Sequence, residues 1–251
     1  MDPPAVSVIV TTRDRPRLLA DALASVAAQS RPALEVRLAD DGERPALETL
    51  PDLGFLELTA IVVRCGQPGA ARNMAARGAR GDVLAFLDDD DLWRPDHLEG
   101  LVRAFDDPRV GFAWRDSLVV RERVREDGVR EALESAKLAA DWDEERMRTD
   151  DYLPPSAWGV RRELFERLGG FDESFACSED WDFVLRAARA TRVRRVPGTT
   201  VEVRIREAGN ASADFGPGRR ECLDRLAARH GLPPLVLRTF WEVAREMGAD
   251  A

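Results

Sequence analysis

The stretch that decides the fold is DVLAFLDDDDLWRP, which occupies residues 82–95. It opens with five apolar residues in a row, Val83 to Leu87. An apolar run of this length is typical of a strand covered on both faces, as the strands of a parallel sheet are. Four aspartates, Asp88 to Asp91, follow at once, and the next basic residue is Arg94. The stretch therefore predicts a buried parallel strand that ends in a concentrated negative charge.

This acidic run has two interpretations. Carboxylates that stand side by side repel each other, and burial increases the repulsion. A divalent cation would offset it, because Mg²⁺ and Mn²⁺ prefer oxygen ligands, and ligands of open α/β sheets bind beyond the carboxyl ends of the strands. The alternative is a solvated turn that ends the strand and caps the next helix. The run alone does not decide between these two interpretations.

Composition narrows the class of protein. The chain has 251 residues, enough for one large α/β domain or two small ones. Acidic residues outnumber basic ones, 46 to 37, for a net charge of −9. This surplus argues against a general nucleic-acid binder, which usually carries excess positive charge. We therefore expect no nucleic-acid partner.

Cysteine usage and hydropathy bear on the compartment. Cys65, Cys177 and Cys222 are widely spaced and form no CxxC pair, so we expect reduced thiols. The N-terminus lacks a signal-peptide pattern, and no run of about 18 uncharged apolar residues occurs. We expect a cytoplasmic protein with no transmembrane segment; peripheral contact with a membrane stays open.

Apolar runs and helical periodicity alternate along the first half of the chain. Strands are predicted over residues 6–10, 34–39, 58–64 and 83–87, and helices over residues 16–29, 45–50, 70–80 and 96–105. Strands that alternate with helices predict a parallel sheet with right-handed crossovers.

The second half of the chain has a less regular pattern. Strands are predicted over residues 110–114, 118–124, 154–160, 193–196 and 199–205, with a turn at 126–128. Helices are predicted over residues 162–168 and 179–191, from 215 to 230, and in a last segment that ends near residue 247. Residues 131–150 are charged and weakly periodic, so the sequence leaves open whether this segment is helical, mobile, or both. No repeat or linker interrupts the chain, which predicts a single domain.

Six short motifs follow one another in a specific order. They are VSVIV at residues 6–10, DDG at 40–42, AARN at 70–73, FLDDDD at 86–91, GGFDE at 169–173 and SEDWD at 178–182. In this order they resemble the family 2 glycosyltransferases of the GT-A fold, over about residues 6–212. The resemblance implies an α/β, Rossmann-like fold with a mixed, mainly parallel sheet flanked by helices. It divides the chain into a nucleotide-sugar half (1–109), an acceptor and catalytic half (110–212) and a helical tail (213–251).

The resemblance also implies an activity, that of an EC 2.4 type transferase. Such an enzyme moves a sugar from a nucleoside-diphosphate sugar to an acceptor hydroxyl and inverts the anomeric centre. It uses a divalent cation, Mn²⁺ or Mg²⁺, as cofactor. The acceptor class (small molecule, peptide or glycan) and the oligomeric state stay open.

Donor contacts are implied residue by residue. Thr11 and Asp41, with Asp40 beside the latter, would hold the nucleobase, and Arg72 would reach the base or the phosphates. Either Asp88 or Asp89 would contact the ribose. Further candidates for the nucleotide sugar are Arg13, Glu179, Arg204 and Arg206; the last two stand in a late loop where many members carry a His, and Arg binds phosphate well.

The remaining implied roles are those of the metal, the base and the acceptor. Asp90 would bind the metal, with Asp88 as a second ligand, and Asp180 would be the catalytic base. Trp158 or Trp181 would stack on an acceptor; the alternative is that both are core residues. For Asp180 the alternative is a favourable charge at a helix start, and for Asp41 a turn residue before Gly42.

Two other functions stay open at this point. A nucleotidyltransferase on a related fold would need a glycine-rich first loop to hold a triphosphate, and the loop after the first strand has Arg13 and Arg15 but no glycine. A non-catalytic nucleotide-sugar-binding domain would not need the acidic residues at Asp88, Asp90 and Asp180.

Overall fold

The structure, a computed structural model, describes residues 3–44, 46, 50, 53–54, 56–125, 129–206 and 217–249. Its first half is a parallel sheet built from four strands: β1 (Val6–Thr12), β2 (Glu35–Asp40), β3 (Leu58–Val62) and β4 (Val83–Asp88). They pair in the order β3-β2-β1-β4. The four strands predicted in this half are confirmed.

The register of these strands creates one acidic edge. Thr11 at the end of β1 pairs with Asp88 at the end of β4. On the other side of β1, Thr12 pairs with Asp40 at the end of β2. Because all of these strands run parallel, the polar residues that follow them meet at the same end of the sheet.

Helices α1 (Pro16–Ala27), α2 (Pro68–Ala76) and α3 (His97–Val102) lie in the same half. Helix α1 starts with Pro16, whose missing N–H costs nothing at this position. It buries Leu19, Leu23 and Val26, which recur at helical spacing on one face. The helices predicted here are confirmed, with shorter ends; the one predicted over residues 45–50 falls largely outside the described residues.

The second half of the sheet has longer strands than predicted. Strand β6 (Val110–Val124) is one continuous strand where two were predicted, and β9 (Arg192–Arg206) likewise joins two predicted strands. The two run parallel to each other. The break expected in β6 came from the polar residues Arg115 and Asp116. Both are buried in the strand and pair with Asp96 and Arg195, respectively, instead of forming a turn.

The charged segment at residues 131–150 is also more ordered than predicted. Strand β7 (Arg130–Leu138) pairs antiparallel with β6, and a short helix, α4 (Glu144–Met147), follows it. Its charged side chains are mostly exposed, which explains why its sequence lacks an apolar face. The turn predicted at residues 126–128 lies outside the described residues.

Strand β8 (Trp158–Arg161) joins the two halves. It pairs antiparallel with β4 on one side and with β6 on the other. The short strand β5 (Leu92–Trp93) pairs antiparallel with β9 at the far edge of the sheet. The sheet is therefore continuous, mainly parallel in its first half and mixed in its second.

Four aromatic rings form the centre of the core beneath this junction. Trp158 stacks on Phe183 with ring centroids 5.5 Å apart, and Phe86 lies 4.7 Å from Trp158. Phe171 meets Phe86 edge-on at 5.3 Å. Phe183 belongs to α6 (Glu179–Ala190), which follows α5 (Arg162–Arg167). Through Phe183, α6 packs on Trp158 of β8, which in turn packs on Phe86 of β4, the strand before the acidic run.

Helices α7 (Pro217–His230) and α8 (Phe240–Ala249) complete the chain. Helix α8 packs on β7 so closely that a Cβ added at Gly248 would lie 2.9 Å from the carbonyl oxygen of Lys137. In the described part of the chain, no helix combines the length and the apolar character needed to cross a membrane.

Candidate active site

A cavity of about 470 Å³ opens at the carboxyl ends of β1, β2 and β4. Most of the residues singled out from the sequence line it. These are Thr11, Arg13, Asp41, Arg72, Asp88, Asp89, Asp90, Glu179, Asp180, Trp181, Arg204 and Arg206. Two do not line it, Asp40 and Trp158. The fold therefore gathers residues from both ends of the chain around one space.

The four aspartates after β4 have different environments. Asp89 accepts hydrogen bonds from the Thr12 hydroxyl at 2.7 Å and from Arg15 Nη1 at 3.1 Å. Asp91 accepts from the Ser156 hydroxyl at 2.6 Å and from the backbone N–H of Arg204 at 2.9 Å. Both carboxylates are buried and fixed by neighbours, so they shape the turn.

Asp88 and Asp90 are the more accessible members of the run. Their side chains are 28% and 17% exposed, respectively. Asp88 pairs with Arg72 at 2.6 Å, and Asp90 pairs with Arg15 at 3.2 Å and Arg206 at 3.0 Å. These two carboxylates face the cavity with oxygens that a ligand can reach.

Crowding raises the proton affinity of the run. Burial and the charge of Asp90 raise the pKa of Asp89 to about 6, although Arg15 opposes the rise. Burial and Asp88 raise the pKa of Asp90, and burial and Asp90 raise the pKa of Asp91 well above its usual value. The ionised run is therefore under electrostatic strain that an added positive charge would relieve.

The fit of a metal ion can be judged from these donors. Within the described ranges, no group of three or more His, Cys, Asp or Glu side chains gathers around a common point. Asp88 and Asp90 supply two partly exposed carboxylates. Mg²⁺ commonly takes one or two protein carboxylates and completes its shell with phosphate oxygens and water. The donor set fits a cation shared with a diphosphate, and it does not fit a closed protein cage.

Arg72 ties the acidic run to α6. Its Nη1 donates to Glu179 at 2.7 Å while its Nη2 donates to Asp88, and its guanidinium lies 5.6 Å from the centre of the Phe171 ring. Burial would lower the pKa of Arg72, but Asp88 and Glu179 outweigh burial and raise it. Burial and Asp180 raise the pKa of Glu179 to about 7. Arg72 is thus a buried, fully paired cation and not the solvated helix residue that its position on α2 would allow.

Asp180 lies in the first turn of α6, whose entry is a left-handed Ser178 with φ of 61°. One of its oxygens accepts the N–H of Trp181 at 2.9 Å. Trp181 is 5% exposed and its Nε1 donates to the carbonyl of Met147 at 2.9 Å, so its ring links α6 to α4. Residues 149–151, which follow α4, line the cavity together with Asp180.

Asp40 and Asp41 stabilise loops. Asp40 is fully buried and accepts from the backbone N–H of Gly42 at 3.0 Å and of Ala46 at 2.6 Å. Asp41 accepts from the backbone of Cys65 at 2.6 Å and Gly66 at 2.8 Å, and still lines the cavity. Both oxygens of Asp40 are thus satisfied inside the protein, away from the cavity.

The acceptor-stacking role predicted for Trp158 is contradicted by its burial. Its residue is 0% exposed and its ring is enclosed by Phe86, Phe112 and Phe183. A ring without an exposed face cannot stack on an acceptor, so Trp158 is a core residue. The Arg204 side chain already has partners inside the protein, since it pairs with Glu202 at 3.1 Å and lies 3.5 Å from Glu122.

Several residues that line the cavity or support its acidic run were missed from the sequence. Thr12 and Arg15, and not Thr11 and Arg13, donate hydrogen bonds to Asp89. Ser156, from the second half of the chain, donates to Asp91. Asp151 and Arg219 line the cavity without belonging to any motif. The run of β1 to the sheet end was an available signal for Thr12 alone; the other four carry no local signal.

Three comparisons place the chain among known proteins. The family model described as Glycosyl transferase family 2 matches residues 7–169. An uncharacterized glycosyltransferase of Bacillus subtilis, YwdF, is 33% identical over 239 residues, which cover 94% of this chain and 87% of the relative. Other curated relatives are longer, and the chain spans 61% of one and 54% of another.

Two solved structures show the fold. S. aureus TarS in complex with UDP-GlcNAc matches with a TM-score of 0.67 at 22% identity, over 89% of this chain and 66% of that chain. The mannosyltransferase PcManGT from Pyrobaculum calidifontis, in complex with GDP-Man and Mn²⁺, matches with a TM-score of 0.61 at 23% identity, over 93% and 67%. The predicted GT-A fold is confirmed by these likenesses.

Proposed function

This chain belongs to glycosyl transferase family 2 and is a glycosyltransferase, and from that premise we propose that it transfers a sugar from a nucleoside-diphosphate sugar to an acceptor hydroxyl with inversion. One observation carries the proposal. Asp88 and Asp90, at the end of β4, line the same cavity as Asp180 of α6. A diphosphate-binding acidic turn and a candidate base therefore share one space.

The donor lies against the first half of the chain, residues 1–109. Thr11 and Asp41 hold the nucleobase, while Asp40 stabilises the loop that follows Asp41. Asp88 contacts the ribose, because both oxygens of Asp89 already accept hydrogen bonds from Thr12 and Arg15. Arg13 and Arg206 lie at the cavity as contacts for the phosphates.

Asp90, with Asp88, would hold a divalent cation, Mn²⁺ or Mg²⁺. Such an ion, when bound, neutralises the negative charge that develops on the leaving diphosphate. The Mn²⁺ in the PcManGT complex supports this choice of ion. Arg15 and Arg206, which pair with Asp90, would then also attract the same phosphates.

Asp180 is the general base. The acceptor oxygen forms a bond to the anomeric carbon as the bond from that carbon to the diphosphate oxygen breaks, and the acceptor proton passes to the Asp180 carboxylate. Because the acceptor attacks the face opposite the departing diphosphate, this single displacement inverts the anomeric centre. Glu179 holds Arg72 and thereby sets the start of α6 against the acidic run.

The first experiment is a thermal-shift screen with nucleoside diphosphates and sugar nucleotides, each with Mn²⁺ and with a chelator. A ligand of the native state raises the melting temperature by mass action. We expect one nucleotide class to stabilise the chain, more strongly with Mn²⁺, and the matching donor to be hydrolysed slowly with release of nucleoside diphosphate. No stabilisation by any nucleotide would contradict the proposal; stabilisation without hydrolysis would favour a non-catalytic binding domain.

A further inference from the structure

The cavity has a second set of lining residues that the donor contacts do not use. This set comes from residues 149–155, from α7 and from the chain around α8. Its charged members are Asp150, Asp151, Arg219 and Arg238, and its apolar members include Leu223, Val236 and Phe240. Because the donor is assigned to the ends of β1, β2 and β4, these residues are the ones left for the acceptor.

Two of these charges neutralise each other. Asp150 pairs with Arg238 at 2.9 Å and with Arg146 at 3.1 Å. Arg238 also pairs with Glu246 on α8. Neither Asp150 nor Arg238 therefore needs a partner from a ligand.

Arg219 has no such partner. It lies in the first turn of α7, is partly buried, and makes no hydrogen bond or ion pair with any residue that the structure describes. Its Nε is buried and unbonded. The next residue, Arg220, donates to Asp224 at 2.6 Å and to the carbonyl of Leu235 at 2.8 Å. Of Arg219 and Arg238, the arginines of this second set, Arg219 is thus the one whose side chain is still open to a ligand.

A partly buried guanidinium without a hydrogen-bond acceptor is unfavourable, because the attraction of a carboxylate at a distance, here Asp151, does not replace the hydrogen bonds to water that it loses. Its five N–H donors form a planar fork that matches the two oxygens of a carboxylate or phosphate. A neutral hydroxyl satisfies only part of that fork. The ligand that complements Arg219 best is an oxyanion.

We propose that the acceptor carries an oxyanion, a carboxylate or a phosphate, and that Arg219 binds it; this inference rests on the proposed glycosyltransferase function. Arg219 and Asp180 line the same cavity of about 470 Å³, which also takes the donor. A single acceptor can present its oxyanion to Arg219 and its hydroxyl to Asp180.

Charge selects the orientation of the acceptor in this arrangement. Burial and Asp180 raise the pKa of Asp151 well above its usual value, and Arg219 opposes that rise. Asp151 therefore lies within the electrostatic reach of both residues. An acceptor bound the wrong way round would bring its oxyanion to the Asp180 carboxylate, the proposed base, which repels it.

The alternative is that Arg219 only balances the charge of Asp151 and Asp180. In that case, Arg219→Gln would shift the pH dependence of donor hydrolysis and would leave the choice of acceptor unchanged. The two interpretations therefore differ in what the substitution alters.

The test uses the full chain saturated with the nucleoside diphosphate that stabilises it most, which blocks the diphosphate subsite. Glucose, glucuronate and glucose 6-phosphate are titrated, and their affinities are read from the melting temperature. Glucose is the neutral control, and the other two separate a carboxylate from a phosphate. We expect one anionic sugar to bind at least about tenfold more tightly than glucose, because a charged hydrogen-bond pair is gained.

Arg219→Gln should lose this preference, and Arg220→Gln, the matched control, should keep it. Equal affinity for the three sugars, no binding of either anionic sugar, or a preference that survives Arg219→Gln would each overturn the inference. Failure of the proposed function gives a different result: no nucleotide stabilises the chain and no donor is hydrolysed. That result is known from the nucleotide screen, before any sugar is added.

Discussion

Asp88 and Glu179, far apart in the chain, are joined by one guanidinium: Arg72 lies 2.6 Å from Asp88 and 2.7 Å from Glu179. This bridge crosses from the end of β4 to the start of α6. The residue before Asp180 is therefore fixed to the acidic run by a buried ion pair. Removing one partner of such a pair leaves an uncompensated buried charge, which costs about 3–5 kcal/mol.

Arg72→Met should lower the free energy of unfolding at pH 8 by about 3 kcal/mol or more, because Asp88 and Glu179 then lose their shared cation. Urea unfolding measures this difference. The matched control is Arg103→Met, which breaks an exposed pair with Glu99 (2.8 Å) and should cost less than about 1 kcal/mol. Equal losses in the two variants would show that the bridge is not important for stability.

Asp180→Asn should bind the donor as the parent chain does and lose transfer by a factor of about 10²–10⁴, because the amide cannot take the acceptor proton. Calorimetry with the donor and single-turnover transfer measure the two properties. Asp21→Asn, an exposed change on α1, serves as the control. Near-normal transfer by the Asp180 variant would exclude this residue as the base.

Asp90→Ala should abolish the part of donor affinity that depends on Mn²⁺, because Asp90 is the proposed ligand of the ion. Calorimetry with the nucleoside diphosphate, with Mn²⁺ and then with a chelator, reads this part directly. We expect Asp21→Ala to retain the full metal effect. An Asp90 variant whose affinity still rises with Mn²⁺ would assign the ion to other residues.

The ionisation of Glu179 should make stability depend on pH. Burial and Asp180 raise its pKa from 4.5 to about 7, while Arg72 opposes the rise and Asp88 adds to it. An acid with a raised pKa binds more protons in the folded state than in the unfolded state. Its contribution is therefore full below about pH 4.5 and is lost as the pH rises to about 7.

Glu179→Gln keeps an acceptor for Arg72 and removes the titrating proton. Urea unfolding in the presence of a chelator, repeated between pH 4.5 and 7.5, should show a shallower decline for this variant than for the parent chain. The difference between the two curves isolates Glu179 from the other carboxylates. Parallel curves would mean that Glu179 keeps its ordinary pKa in the fold.

The first half of the fold could be predicted because its sequence follows simple periods. Strand β4 is buried on both faces and reads as an apolar run, and α1 repeats its apolar residues at helical spacing. The second half was harder to predict because polar residues are buried inside its strands. Asp116 in β6 is 3% exposed yet pairs with Arg195 at 2.7 Å, a contact that no local pattern reveals.

The site shows the same limit. The sequence indicates an acidic run, but it does not say which aspartate faces a ligand. That distinction depends on Thr12, Ser156 and the backbone of Arg204, which reach Asp89 and Asp91 from distant parts of the chain. Arg219 was missed for a similar reason, since an arginine on a polar helix carries no signal until the fold shows what surrounds it.

Ser156 sets a limit on engineering. Its hydroxyl accepts from the backbone N–H of Asp88 at 3.1 Å and donates to Asp91, while its carbonyl accepts from Trp93 Nε1 at 2.7 Å. A chimera that exchanges the neighbouring residues 149–153 for those of a homologue, in order to alter substrate scope, should therefore end its insert before Ser156. Grafts that extend past this serine would disturb Asp88 and Asp91 together with the loop they were meant to replace.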